Sequence, residues 1–374
     1  MQATDTHSIS GSILTPAGWV GGAAVVGGQR ILRIEGTPFE TGQAPAAPYV
    51  IPGFIDLHVH GGDGQDYLGS AAEIRQFLRF HAAHGTVAIA PTTATAPADV
   101  LIRSLGLIEA IRNNRQPGEP TVLGAHLEGP FINPDKLGAQ MNVPLEGDVA
   151  LALRWADTCK LVVATVAPEI PGGIGVMGAL PARGCRVQIG HSLATAGETA
   201  AAFARGMAGF THLFNAMSGV DHRNPGVAAY ALAHGRYAEM ICDLNHVNPD
   251  VLLAAHRAIP RLYAITDATK FAGRPDGEYA MDHRTIIKRG LTITLGDGRT
   301  LAGSAITMID AFRNLMSLGL SIEEASGLCS TRQAEYLCLN DLGRIAPGAL
   351  ASLVVLDERL GLADVWVAGE RIAG

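Results

Sequence analysis

The stretch PGFIDLHVHG, residues 52–61, decides the fold. An apolar run of strand length, FIDLHV, carries His58 at its end and His60 just beyond, so two polar side chains stand where a strand should stop. Working outward, four more segments repeat the arrangement: GAHLEGP (124–130), VQIGHS (187–192), GFTHLFNAM (209–217) and AITDAT (264–269). They bring Glu128, His191, His212 and Asp267 to equivalent positions. A single His-x-His would carry little, because alternate residues of a strand share a face and two core or solvated histidines explain such a pair equally well. Independent core histidines, however, have no reason to recur at the same end of successive strands. Imidazole nitrogens and carboxylate oxygens gathered in one cluster suit a divalent metal, zinc or ferrous iron.

Eight apolar runs recur between Pro52 and Thr269: FIDLHV, TVAIAPT, TVLGAHL, KLVVATV, RVQIGH, GFTHLF, AEMICDL and LYAITD. Helical patterns such as AAEIRQFLRFHAAHG and ADVLIRSLGLIEAIRNNR separate them, the alternation that predicts a parallel sheet. Their continuous apolar character fits strands buried on both faces. The expectation is an α/β protein whose residues 52–342 form a (β/α)8 TIM barrel, with the active site at the C-terminal ends of the strands. A doubly wound open sheet is the rival, but it wants a glycine-rich phosphate turn after its first strand, and GGDGQ after His60 lacks that spacing. Residues 1–51 and 343–374 offer short strands (SILTP, AAVVGG, RILRIEG, ASLVVLD, ADVWVAGERI) between Gly, Pro and Asp turns. They predict one small β-sandwich domain assembled from both termini.

Composition narrows the function. With 374 residues, 48% hydrophobic and 17% charged, the chain can bury a large core. A net charge of -7 argues against nucleic-acid binding, which needs a basic footprint, while leaving room for a small anionic ligand met by local charge. Five cysteines, odd in number and without a Cys-x-x-Cys pair, read as reduced thiols, with Cys185 and Cys242 in the core. No uninterrupted apolar stretch reaches bilayer length, and MQATDTHSIS lacks the basic start and apolar run of a secretory signal. A cytoplasmic protein without a membrane partner is the expectation.

The quoted motifs, together with LAGS at 301–304, resemble those of the amidohydrolase superfamily and, through HLEGP and THLFNAM, the N-acetylglucosamine-6-phosphate deacetylases. The resemblance runs from Pro52 to the C-terminus. It implies a barrel with a terminal sandwich, metal-dependent removal of acetate from an N-acetylated amino-sugar phosphate, and a homodimer. Position by position it implies Glu128, His191 and His212 as metal ligands and Asp267 as the catalytic aspartate. Some such deacetylases keep the strand-one histidine pair and hold a second metal, whereas others replace it and run on one. This chain keeps His58 and His60, so one or two ions per chain are both open. For the substrate the resemblance implies Asn215, Ala216, His246, and Arg223 of DHRNPG at the sugar phosphate, an arginine that sometimes reaches into a neighbouring subunit. Leu301, Ala302 and Gly303 match a loop that frames the acetamido group, the alternative being an ordinary glycine turn before a helix.

Two departures bear on the sugar. His246 sits in DLNH where the family reads Asp-Gly-x-His, and Gln140 of KLGAQM takes a position that is histidine in the family pattern. Glutamine donates a hydrogen bond but carries neither proton nor charge. N-acetylglucosamine 6-phosphate is the leading substrate, with N-acetylgalactosamine 6-phosphate or another N-acyl amino sugar as the alternative.

Amide hydrolysis needs a strong nucleophile, a polarised carbonyl and a proton for the departing amine. A divalent ion supplies the first two, bringing the pKa of water to about 7 and drawing charge onto the carbonyl oxygen. Asp267 suits the proton transfer, unless it merely caps the next helix. Cyclic-amide hydrolases commonly use a bridging lysine, and HLEGP has glutamate there; ring deaminases and a metal-free binding module are further rivals, the last expected to shed its ligands first. His126 shares the face of Glu128 and is read as a support behind it. His222, beside Arg223, either adds charge near a phosphate or is a surface residue. His81, His84, His234, His256 and His283 fall in helices or turns and are read as solvated or helix-terminal, and Phe271–Gly273 as part of a lid.

Overall fold

The computed structural model describes residues 6–281 and 284–372, so His283 lies outside the described residues. Each apolar run forms a strand. β1 (Phe54–Val59), β2 (Thr86–Thr93), β3 (Ala125–Glu128), β4 (Leu161–Val166), β5 (Arg186–Ile189) and β6 (Gly209–Phe210) lie side by side, parallel and in sequence order. That order contains no reversal, which removes the doubly wound alternative, whose sheet turns back at a switch point. β7 (Tyr237–Ile241) and β8 (Arg261–Ile265) pair with each other in parallel. Backbone hydrogen bonds span both remaining gaps: beyond β6, Leu213 N donates to Glu239 O at 2.9 Å, and beyond β8, Asp267 N donates to His58 O at 2.9 Å.

Every residue of β1 to β4 is buried, as strands covered on both faces must be. Helices provide the outer cover. Ala71–Ala83 turns Ile74, Phe77 and Leu78 inward and begins in a capping box, where Ser70 and Glu73 satisfy each other's backbone donors. Ala98–Arg112 buries Leu101, Leu105 and Ile108 at helical spacing. Among the described residues no helix is long and apolar enough to cross a membrane.

Both termini enter one seven-stranded sheet. Tyr49–Pro52 joins its halves: Val50 pairs with Ile13 in parallel and with Val355 in antiparallel register. Ile13, Val26, Ile31, Ile345 and Leu353 belong to a small core of its own.

A further sheet has no counterpart in the sequence reading. After β8 the chain builds four antiparallel strands, β9 (Gly277–Met281), β10 (Arg284–Arg289), β11 (Thr292–Leu295) and β12 (Leu301–Ser304). Leu301, Ala302 and Gly303 are therefore part of a strand rather than a loop or glycine turn, held by pairing with β11. The stretch Phe271–Gly273 is closely packed, with Phe271 on the cavity wall. Phe271 and Ala272 are buried, and Gly273 packs so closely that a Cβ there would lie 2.5 Å from the Phe80 ring.

Close packing at the strand ends also explains the glycine of VQIGHS. A Cβ at Gly190 would lie 2.6 Å from Thr211 Cβ and 2.7 Å from Thr165 Cγ2. Gly190→Ala is expected to lower the unfolding free energy by about 1–3 kcal/mol, the usual effect of overpacking a core. Denaturant titration of variant and wild type checks it.

Candidate active site

The strands bring all six predicted donors together. Glu128 ends β3, His58 and His60 sit at the end of β1, and His191, His212 and Asp267 follow β5, β6 and β8. Those last three adopt φ values of 49°, 29° and 50°, in the left-handed region that residues with a Cβ seldom occupy. Cross-links from other segments hold them there, among them Asn133 N donating to His191 O and Asp267 N donating to His58 O. Among the described residues no helix starts at Asp267, and its Oδ1 lies 3.2 Å from His60 Nε2. The capping alternative is thereby removed.

Three donor groups form among the described residues, Glu128 with His191 and His212, His58 with His60 and Asp267, and, behind them, His58 with His126 and Glu239; within each, the ligand atoms lie inside 4.8 Å of one another. Glu128 Oε1 is 3.0 Å from both His191 Nε2 and His212 Nε2, which are themselves 3.0 Å apart. Glu128 also faces the second group, with Oε1 3.5 Å from His58 Nε2 and Oε2 3.5 Å from His60 Nε2.

The available nitrogen of each ring follows from what stands behind it. Carbonyl and carboxylate oxygens only accept, so Nδ1 donates to Lys136 O from His191 (2.6 Å), to Thr92 O from His60 (3.1 Å) and to Glu239 Oε2 from His58 (2.9 Å). Their Nε2 lone pairs are left facing carboxylates and one another, an arrangement that repels unless a proton or a cation lies between. A tetrahedral zinc site with bonds of about 2.1 Å has donors about 3.4 Å apart, close to the triangle seen here. The residues fit a divalent metal.

Their charges are mutually enforced. Burial pushes the Glu128 carboxyl up, but His58 and His191 with the hydrogen bonds around it outweigh burial and hold it well below the carboxylate range. Asp267 falls to about 2 for the same reason, burial being overcome by His60 and His58. Burial disfavours charge on His58 and His191 as well, yet Glu128, aided at His58 by Glu239, raises both.

Behind the donors, burial lowers His126 to about 3; its Nδ1 donates to Leu57 O at 3.0 Å and its Nε2 lies 2.7 Å from Thr165 Oγ1. It is a neutral prop, as read from the sequence. His81 is buried rather than solvated: burial lowers it to about 4, and Nε2 donates to Gly61 O at 2.9 Å, bracing the turn after β1. Glu239 escapes the sequence reading altogether. Its carboxylate accepts from His58 Nδ1, from the backbone N of His212 (3.3 Å) and from the Tyr263 hydroxyl (3.3 Å), tying β1, the segment after β6 and β8 to β7. A lone glutamate inside AEMICDL, on a strand buried on both faces, was its signal.

In front of the donors opens a cavity of about 440 Å³, and Gln140, Asn215, Ala216, His246, Leu301, Ala302 and Gly303 all line it. Gln140 acts on the donors themselves: its Nε2 donates to Glu128 Oε2 at 2.8 Å while Oε1 accepts from Thr95 N at 2.8 Å. His246 Nδ1 lies 2.7 Å from Asp243 Oδ2; burial disfavours the imidazolium, but this bond more than offsets it and raises the pKa. Arg223 does not line the cavity. It is exposed in a turn closed by Asp221, with His222 exposed beside it. Lys270, Arg284 and Arg299 do line it, and no motif marks them.

The amidohydrolase family profile matches residues 49–372. The N-acetylgalactosamine-6-phosphate deacetylase of Escherichia coli O157:H7 is 34% identical over 96% of this chain and 97% of its own length. For the N-acetylglucosamine-6-phosphate deacetylase of Vibrio furnissii the identity is 33%, over 86% and 82%. The solved N-acetyl-D-glucosamine-6-phosphate deacetylase of Mycobacterium smegmatis superposes with a TM-score of 0.88 at 30% identity, covering 98% of this chain and 100% of that one.

Protons and a divalent ion compete for the same Nε2 atoms. Because His58 and His191 are raised, zinc affinity is expected to climb as pH rises through the region above the ordinary imidazole value of 6.5 and to level off once both rings are neutral. Calorimetry in two buffers of different ionisation enthalpy should record proton release on zinc binding that shrinks with rising pH.

Proposed function

The chain belongs to the amidohydrolase family, and we propose that it removes the acetyl group of N-acetyl-D-glucosamine 6-phosphate, giving glucosamine 6-phosphate and acetate. One observation carries this reading: a Glu128, His191 and His212 triangle with 3.0 Å sides, faced by the ionised Asp267, on the floor of a sugar-sized cavity. Similarity over nearly the whole chain to deacetylases of amino-sugar phosphates supports the substrate class.

When bound, a divalent ion, zinc or iron, supplies acidified water and a polarised acetamido carbonyl. Glu128, His191 and His212 would hold it; His58, His60 and Asp267, with Glu128 between the groups, offer a second position, so the count is one or two per chain. Asp267 begins ionised and can accept a proton: as the water oxygen bonds to the acetamido carbon, Oδ1 takes the proton the water loses, and as the C–N bond breaks it returns that proton to the departing nitrogen, giving acetate and the amine. His60 Nε2 lies 3.2 Å from that carboxylate. Gln140 keeps Glu128 oriented through Oε2. Asn215, Ala216 and His246 bind the sugar phosphate, and Leu301, Ala302 and Gly303 frame the acetamido group; at Gly303 the missing Cβ lets the backbone approach Asp267.

The same proposal covers the architecture. The hydrogen bonds at both gaps support closure of β1 to β8 into a (β/α)8 barrel over residues 52–342. The shared terminal sheet with its own core supports a small sandwich domain of residues 1–51 and 343–374. A homodimer gives Arg223 a site, in the partner's cavity. Five unpaired cysteines support a cytoplasmic setting.

N-acetylgalactosamine 6-phosphate is the second reading, favoured by the 34% identity to the Escherichia coli enzyme of that specificity. Acetate release compared on both sugar phosphates decides between them; release from neither would sink the proposal. Asp267→Asn is expected to leave zinc binding at Glu128, His191 and His212 nearly intact and to cut turnover by about 100-fold or more. Turnover near the wild-type rate would remove the proton-transfer role.

A further inference from the structure

We infer that Glu239, which does not line the cavity, is the positioning residue for His58 and through that ring sets the affinity of the second cation position, formed by His58, His60 and Asp267; this assignment rests on the metal-dependent reading above.

The four candidate ligand rings are not backed alike. Behind His60 and His191 stand the neutral carbonyls of Thr92 and Lys136, and His212 Nδ1 is buried without a hydrogen-bond partner. Only His58 rests on a carboxylate, its Nδ1 2.9 Å from Glu239 Oε2 with both side chains fully buried. Among the described residues no lysine or arginine pairs with Glu239, and His58 is its one ion-pair partner. A carboxylate withdrawn from water needs a compensating positive charge, and the imidazole carries that demand to its far side. There Nε2 meets Glu128 Oε1 at 3.5 Å, Asp267 Oδ1 at 3.6 Å and His60 Nε2 at 3.2 Å, a set of acceptors that a cation among them would satisfy. A carboxylate behind a ligating histidine fixes its tautomer and makes it a stronger donor to the ion.

Glu239 is itself locked from three directions. Oε2 also accepts from His212 N, and Oε1 accepts from the Tyr263 hydroxyl, which in turn accepts from Gln188 Nε2 at 2.7 Å. Gln188 Oε1 accepts from the Thr211 hydroxyl at 2.8 Å, so side chains from β5, β8 and the segment after β6 prevent the carboxylate from turning away. The rear group of His58, His126 and Glu239 takes no ion of its own. Both ring nitrogens of His126 are engaged, by Leu57 O and Thr165 Oγ1, and 2.9 Å between His58 Nδ1 and Glu239 Oε2 is the length of a hydrogen bond. Glu128 and His191 do not touch Glu239, and His212 meets it only through its backbone, so a change of charge at Glu239 falls on the second position rather than the first.

The test follows zinc uptake by the full-length metal-free protein, by calorimetry and metal counting, in wild type, Glu239→Gln and His58→Asn. In Glu239→Gln the amide oxygen can still accept from His58 Nδ1 and His212 N while its NH2 meets the Tyr263 hydroxyl, so the geometry survives and the negative charge is lost. Wild type should bind two equivalents and His58→Asn one. Glu239→Gln should keep the affinity of the first equivalent and weaken the second by about 10–100-fold, the usual cost of losing the partner behind a metal-bound histidine. Without recourse to a Glu239 variant, NMR of zinc-loaded wild type labelled with 15N-histidine should show a slowly exchanging Nδ1–H at the downfield position of a proton held by a carboxylate, absent from His58→Asn. An unchanged second affinity in Glu239→Gln, equal weakening of both equivalents, a single equivalent in saturated wild type, or a His58 ring without that proton would each overturn the assignment. Acetate release is assayed separately, and the expected zinc pattern without release from either sugar phosphate would sink the substrate reading alone.

Discussion

Glu128 is 2% exposed and has four imidazole nitrogens within 3.5 Å, from His58, His60, His191 and His212. A carboxylate buried alone would be neutralised or would cost several kcal/mol. Here rings from the ends of three strands compensate it, and they gain in return the acceptor that raises His58 and His191. The requirement is geometric as well as electrostatic. Sliding β3 by one residue would turn Glu128 to the opposite face and set Leu127 or the residue after it against the imidazoles. The register of the parallel sheet and the charge state of the site are therefore one constraint.

Much of this was legible because its signals were chemical anomalies on an apolar background. Donors at the ends of apolar runs announce both the strand and the site, and His126 follows from strand periodicity alone. Glu239 carried the same kind of signal but sat in mid-strand, where a template that looks at strand ends passes over it. The sheet β9 to β12 escaped for another reason. KRGLT and LGDGRT are turn-like breaks between short alternating runs, yet once eight strands fill a barrel template nothing demands more. Gly303 was misread because glycine within a strand looks like a turn, when what selects it is φ +66° and a Thr269 methyl 2.6 Å from where its Cβ would be. Arg223 shows the limit of matching by position: within the chain its turn is exposed and lies outside the cavity.

Cations gather on an insertion and anionic donors on the barrel-like framework, and the division has a physical basis. Metal ligands must be held to fractions of an ångström, which favours strand ends fixed by ladder hydrogen bonds. Arg284 and Arg299 line the same cavity from the sheet that follows β8 and are under no such geometric demand.

The left-handed backbone of His191, His212 and Asp267 belongs to the same logic. Such conformations cost of order 1 kcal/mol or more for residues with a Cβ and persist only where surroundings over-determine them. Asp267 N is fixed by His58 O, Leu213 N by Glu239 O, and His191 O by Asn133 N, each bond crossing to a segment distant in sequence. The three donors are thus positioned by segments distant in sequence as well as by their own loops. Any step that returned one of them to relaxed backbone would strain a bond to such a segment. Preorganisation of the site is consequently a property of the packed strand ends and the loops they hold.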